Sequence, residues 1–432
     1  MSSTSRTRDA RVLERSEHPI SRKALHGSAV KVLHRLHKAN RAAFVVGGAV
    51  RDLLLDRKPK DYDVATEARP GEIKRLFRNS RIIGRRFRLV HVYFREGVVE
   101  VSTFRRGPGA RDASTDAERL LITDDNLFGT PRQDAFRRDF SINALFFDAA
   151  RDEVIDYVGG IEDLRAGVLR TIGDPDVRFQ EDPVRMMRAC EYAGRLDFTI
   201  EAATQEGVVN RCREIEKASP ARLLEEIMQL LRSGSSAAAL QWQLELGLLE
   251  HLMPSLHAAV TSGARGRPYH RLFAELDRIA AEGRRPADGA LVAALLLPAV
   301  SREIDERERH GRNRLKTRAR RAIMAEHAHH FAARFRISKV RAERAADTLL
   351  AVWQLREREW KMPERIRFAQ RAVFEDALVL YELLCGVDGL DRKQLEAWRK
   401  LVQHPKDESR PKRPRRGRRR RSRRGRPRRA GR

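Results

Sequence analysis

Cysteine is scarce in this chain of 432 residues. Cys190, Cys212 and Cys385 occur singly, with no CxxC pair. That argues against a zinc knuckle and a disulfide framework, and predicts reduced, buried thiols. Long apolar runs are also missing. The longest, Ala290 to Val300, contains Pro298 and falls well short of the ~20 residues of a membrane-spanning helix. The N-terminus is rich in Ser, Thr and Arg without an apolar stretch, so it does not read as a secretory leader. These absences predict a cytoplasmic protein with no membrane span. Neither GxxxxGK[ST] nor GxGxxG occurs, which argues against a P-loop and a Rossmann site.

Acidic residues disappear near the C-terminus. Ser409 to Arg432 holds 15 Lys or Arg and no Asp or Glu. Without them the chain still has 73 basic residues against 60 acidic ones, out of a formal net charge of +28. A basic tail on a basic body suits a polyanion, most simply nucleic acid. The bland alternative is a tail that aids solubility or binds membranes nonspecifically.

Hydrophobic residues make up 41% of the chain, enough for several domains with a real core. Residues 1–19 are polar and read as disordered. Ala24 to His37 has helical spacing, and Ala43 to Val46 and Tyr62 to Ala65 read as strands. Ala49 to Leu55 and Gly71 to Phe77 read as short helices. Phe87 to Phe94 and Val98 to Phe104 form a hairpin pattern around Gly97. Gly107 to Asp116 reads as a mobile loop. Val154 to Val158 and Val168 to Ile172 are further strand candidates, after which the pattern turns helical. The expected fold class is an α/β head over 20–172, then an all-helical remainder and a disordered tail over 406–432.

Chemistry concentrates in the head. Asp61 and Asp63 are two apart, so on a strand they share one face, roughly 6.5–7 Å apart along the chain. Two such carboxylates can hold metal ions ~3.5–4 Å apart for in-line displacement at phosphorus. Alternatively both simply face solvent. Gly47 and Gly48 permit close backbone approach, and the helix after them turns its amides toward an anion. Arg51 lies within reach of phosphate oxygens, or pairs with Asp52 on the surface. Glu100 interrupts an apolar strand, where an acid is costly unless paired or metal-bound. It is a third metal carboxylate or an outward edge residue. Arg137-Arg138-Asp139 precedes an apolar run. Asp182 reads as a helix N-cap before Pro183, with Arg185 three residues on. Those two could read the edge of a base, or form a cap and an ion pair. The cluster His327-Ala328-His329-His330 lacks helical ligand spacing and reads as a solvated face.

Gly47-Gly48-Ala49-Val50-Arg51-Asp52, Asp61-Tyr62-Asp63, Glu100, Asp125-Asn126, Arg137-Arg138-Asp139, Asn143-Ala144 and Glu181-Asp182-Pro183-Val184-Arg185 occur in this order. The combination resembles the class II nucleotidyltransferases, the family of bacterial poly(A) polymerases and CCA-adding enzymes. The run Ile82 to Val92, with Gly84-Arg85-Arg86-Phe87, resembles the poly(A) polymerase branch, as does the Arg-rich C-terminus. The resemblance implies a nucleotidyltransferase head with a small mixed sheet over 20–172, an all-α neck over 173–256, an all-α body over 257–405 and RNA-contacting parts. It implies two Mg²⁺ ions on Asp61, Asp63 and Glu100, and a triphosphate on Gly47, Gly48 and Arg51. Arg138 and Asp139 would contact phosphates and ribose, and Asp182 and Arg185 the incoming base. The implied activity is addition of AMP from ATP to RNA 3′ ends, with RNA and ATP as partners and no DNA specificity. RNA-decay proteins are further expected partners. CCA addition to tRNA and noncatalytic RNA binding are the alternatives.

Overall fold

The computed structural model describes residues 10–84, 88–106, 127–262, 270–311, 313–357 and 360–403. Eight strands among them form one sheet: Arg11–Leu13 (β1), Ala43–Val46 (β2), Asp63–Thr66 (β3), Ser80–Ile83 (β4), Leu89–Phe94 (β5), Gly97–Thr103 (β6), Leu145–Asp148 (β7) and Glu153–Asp156 (β8). The spatial order is β1-β8-β7-β2-β3-β6-β5-β4. β3 and β6 run parallel, and the other neighbours antiparallel. The sheet is mixed, as its sequence suggests.

Alternation along the strands divides two cores, because successive side chains leave opposite faces. Val45, Val64, Val90 and Val101 enter the main core. There they meet Gly27–Lys38 (α1), which buries Ala29, Val32, Leu33 and Leu36 at helical spacing. Val46, Ala65, Phe104 and Phe146 form a smaller cluster on the other face. Each fully buried Val or Leu contributes about 1.5–3 kcal/mol relative to exposure. This cluster gives the second face apolar cover over β2, β3 and β7.

Short helices link the strands: Gly48–Leu54 (α2), Pro70–Leu76 (α3), Pro131–Arg137 (α4) and Gly160–Ala166 (α5). Pro175–Glu181 (α6), Val184–Leu196 (α7), Ala202–Arg211 (α8) and Pro220–Leu231 (α9) follow. α3, α4, α6 and α9 open on proline, whose fixed φ suits a first helical turn and whose missing N–H is not needed there. Longer helices, including Asp288–Gly311, Thr317–Phe335, Lys339–Glu357 and Phe374–Val387, build the remainder. Pro298 lies inside the first of these, and the apolar run Ala290–Val300 is buried. Among the described residues no helix is long and apolar enough to cross a membrane. Cys190 and Cys385 are buried, Cys212 is half-buried, and none is in a disulfide.

Two expectations need correction. Residues 1–19 are not disordered throughout: β1 pairs with β8, Leu13 and Ile20 are buried, and His18 Nε2 lies 2.9 Å from the Asp152 carbonyl oxygen. A three-residue edge strand has too few positions for a periodic signal, and its partner is distant in sequence. Strand structure also continues beyond residue 172. Val168–Leu169 (β9) pairs in parallel with Thr199–Ile200 (β10), a pair too short to read from pattern. The expected loop over Gly107 to Asp116, Asp125-Asn126, Arg85-Arg86-Phe87 and the basic tail lie outside the described residues.

Candidate active site

β2 ends at Val46, and the chain turns at Gly47 with φ +71° and ψ −133°. Side chains avoid that conformation. The position is also crowded, since a Cβ there would sit 3.0 Å from Arg138 Nη1. The Gly47 amide donates to the Leu145 carbonyl at 3.1 Å, tying the turn to β7.

Arg51 follows in α2, but not as an open phosphate ligand or a surface pair. Its side chain is 2% exposed. The guanidinium donates to Asp52 Oδ1 at 2.6 and 2.8 Å and to Asn143 Oδ1 at 2.6 Å. It also lies over the Tyr192 ring at 5.3 Å. Arg51 thus braces the glycine turn from beneath.

β3 begins at Asp63, opposite Val46. Asp61 lies two residues before it, outside the strand and exposed. The expectation that both aspartates share a strand face is corrected: Gly47 turns away from the ladder, so Asp61 has no β2 partner. Glu100 stands beside Asp63 in register on β6, so these two carboxylates do share a face. Glu100 Oε1 lies 3.1 Å from His91 Nε2.

Asp63 keeps exposed surface, yet enough protein surrounds its carboxyl to desolvate it. Desolvation raises its pKa, the charges of Glu100 and Asp61 add to this, and Arg138 opposes it; the result is a carboxyl pushed up to about 6. Such mutual repulsion is what a multivalent cation would relieve. The donors are hard carboxylate oxygens of the kind Mg²⁺ takes. Among the described residues no three His, Cys, Asp or Glu side chains converge tightly enough to hold a metal ion as they stand. The donor chemistry fits a metal pair, with Asp61 on a loop and Glu100 turned toward His91.

Arg138 closes the other side. It donates to Asp134 Oδ2 at 3.0 and 3.2 Å and to the Asn143 carbonyl at 3.2 Å. Asp134 is fully buried and also receives Arg137 and the Arg105 amide. Arg138 retains 19% exposure, beside Gly47 and within the field of Asp63.

Asp139 points toward the neck. Its carboxylate accepts from Arg188 and the Phe140 amide, each at 2.8 Å. Burial alone would raise its pKa, but Arg188 and the hydrogen bonds hold it below the usual range. Arg188 also donates to Tyr192 Oη at 2.8 Å. Arg51, Arg188 and Arg195 surround that ring at 5.3, 5.4 and 5.0 Å. Sequence reasoning missed Asp134, Arg188 and Tyr192. The i,i+4 pairs Asp134–Arg138 and Arg188–Tyr192 were the available signal.

Asp182 and Arg185 lie on one turn but do not pair as cap and partner. Asp182 takes a bidentate bond from Arg222 at 2.7 and 2.8 Å. Burial would raise its pKa, and the Arg222 fork outweighs that and lowers it. Arg185 donates to Glu181 at 3.1 Å and to the Arg178 carbonyl at 2.9 Å. A residue from α9 thus intercepts the expected i,i+3 contact. In the body, His327 Nε2 meets Glu303 at 2.7 Å.

The described fold is a mixed-sheet α/β head followed by a mostly helical remainder. Residues 43–170 match the family described as "Poly A polymerase head domain". Residues 197–260 match "Probable RNA and SrmB- binding site of polymerase A". Both matched segments are thus similar to parts of poly(A) polymerases. It is 45% identical to Poly(A) polymerase I of Salmonella typhi over 249 residues, covering 57% of this chain and 54% of that protein. It is 36% identical to the CCA-adding enzyme of Bacillus velezensis over 255 residues, 59% and 62% of the two chains. The chain therefore spans about half the length of the Poly(A) polymerase I it matches. Its fold is similar to the Bacillus stearothermophilus CCA-adding enzyme in complex with CTP, with a TM-score of 0.63, 24% identity, and coverage of 87% and 81%.

Proposed function

We propose that this chain is a template-independent polynucleotide adenylyltransferase that adds AMP from ATP to RNA 3′ ends and releases pyrophosphate. The observation that carries nucleotidyl transfer is the carboxylate pair Asp63 and Glu100, in register on adjacent strands, with Arg138 in the field of Asp63 and against the Gly47 turn. Greater identity to Poly(A) polymerase I than to CCA-adding enzymes, 45% against 36%, favours ATP polymerisation. The reading locates the activity in the cytoplasm, in RNA polyadenylation and turnover alongside RNA-decay proteins.

Asp61, Asp63 and Glu100 would hold two Mg²⁺ ions, which when bound supply Lewis acidity at the attacking hydroxyl and the leaving pyrophosphate. Gly47 and Gly48 let the triphosphate approach the backbone, and Arg138 reaches it from the side. Arg51 fixes the turn that receives it. Asp139, locked by Arg188, offers a carboxylate edge at the head–neck junction for the ribose. Asp182 and Arg185 are the proposed base-reading pair, with Arg222 and Glu181 setting their orientation. Positioning and charge stabilisation then carry the rate, without a covalent enzyme intermediate.

The test is extension of short RNA primers with each nucleotide supplied separately. Long runs of A on varied RNAs support the proposal. CTP incorporation confined to truncated tRNA would replace it with CCA addition, the second reading that the Bacillus relatives support. RNA binding without any nucleotide incorporation would replace both.

A further inference from the structure

The cleft face of the sheet continues beyond the proposed metal carboxylates. Asp63 on β3 is opposite Glu100 on β6, Glu100 is opposite His91 on β5, and His91 is opposite Arg81 on β4. Directly opposed residues in a sheet share a face, so these four side chains form a row. Beneath them Val90, Val92, Val99 and Val101 are buried, anchoring both strands of the hairpin. The His91 ring meets Tyr93 edge-on at 6.2 Å, and its Nε2 lies 3.1 Å from Glu100 Oε1.

Asp139, Asp182 and Glu382 are each met by guanidinium groups, whereas Glu100, like Glu216 and Glu303, is met by an imidazole. Arginine would place a full permanent charge on the carboxylate and compete with a cation for it. The contact with His91 engages Oε1, and the second oxygen of Glu100 is left for a metal.

We propose that His91 is a positioning residue for the third metal carboxylate: Nε2–H donates to Glu100 Oε1 and restricts the side chain so that its second oxygen serves the metal pair. This rests on reading Asp61, Asp63 and Glu100 as metal carboxylates. Hydrogen-bond partners of metal ligands commonly change affinity by roughly 10–100-fold when removed. A half-exposed side-chain contact of this kind, by contrast, contributes little to folding.

The experiment is Mn²⁺ titration of the full chain, with free Mn²⁺ read by electron paramagnetic resonance and melting followed by circular dichroism. His91→Ala should weaken Mn²⁺ binding about tenfold, at the low end of that range, with an unchanged melting midpoint. His91→Gln, which keeps a donor, should restore most of the affinity. Wild-type affinity in folded His91→Ala would overturn the role of His91 alone. So would weakened binding that tracks a lost melting midpoint and is not rescued by His91→Gln. Asp63→Asn is the control for the underlying reading. If wild type binds no Mn²⁺, or Asp63→Asn binds it unchanged, the carboxylate assignment fails and the role of His91 falls with it.

Discussion

Two carboxylates in this chain meet opposite treatment. Asp63, in the head, is pushed up to about 6 by desolvation and by its acidic neighbours Glu100 and Asp61. In the body, Glu382 is held down to about 2: burial would raise it, but Arg284, Arg278 and Arg399 more than offset that. Its oxygens accept from Arg284 at 2.7 and 2.9 Å, from Arg278 at 3.1 Å, and from Arg399. The body neutralises its buried charge with its own side chains. The head leaves charge unbalanced at one point, as expected where a cation or ligand is to complete the set.

That contrast can be broken most strongly at Asp63. Asp63→Asn keeps the shape and removes the charge. Nucleotidyl transfer should fall by at least about 10²–10³-fold, the scale for losing one preorganised electrostatic group, while the melting temperature stays equal or rises. Primer extension and a melting curve on the same preparation check both halves.

Glu382→Ala should do the reverse. It leaves Arg278, Arg284 and Arg399 facing one another, though their partial exposure lets water relieve some of the cost. The expected destabilisation is about 1–3 kcal/mol, below the range for breaking a fully buried pair, with activity per folded molecule retained. Urea denaturation measures it.

A similar cost in stability is expected at Gly47. Gly47→Ala forces a side chain into a disfavoured backbone region and against Arg138, costing about 1–3 kcal/mol of strain unless the turn shifts. A shifted turn should appear as a raised KM for ATP with an unchanged KM for primer.

The gentlest probe is pH. Glu382 has a depressed folded pKa, so its stabilisation is present above its ordinary value near 4.5 and is lost as pH falls toward 2. Asp63 has a raised folded pKa, so its charge opposes folding increasingly from about 4 to 6 and contributes no such penalty below that window. Thermal melts from pH 7 to pH 3 should therefore show a shallower acid loss in Glu382→Gln than in wild type. Asp63→Asn should gain stability relative to wild type mainly above pH 5.

The head was the more legible region. β2 was read with its bounds, and the glycine turn and the β5–β6 hairpin followed from local pattern. These features depend on residues close in sequence, or on alternation that a buried strand enforces. The partners of the polar residues were not legible. Nothing near Asp182 indicates that Arg222 would take its carboxylate, and nothing near Arg51 indicates that Asn143 and Tyr192 would enclose it. Such contacts depend on how helices pack, and each guanidinium has many possible acceptors along the chain. β1 escaped notice for a related reason, because its strand character comes from β8.

The most direct test of the central claim is single-turnover transfer of labelled AMP to an RNA primer by Asp63→Asn and Glu382→Gln, each assayed below its own melting transition. The account predicts a folded Asp63→Asn protein with essentially no transfer and a less stable Glu382→Gln protein with near wild-type transfer. Wild-type transfer by Asp63→Asn would contradict it.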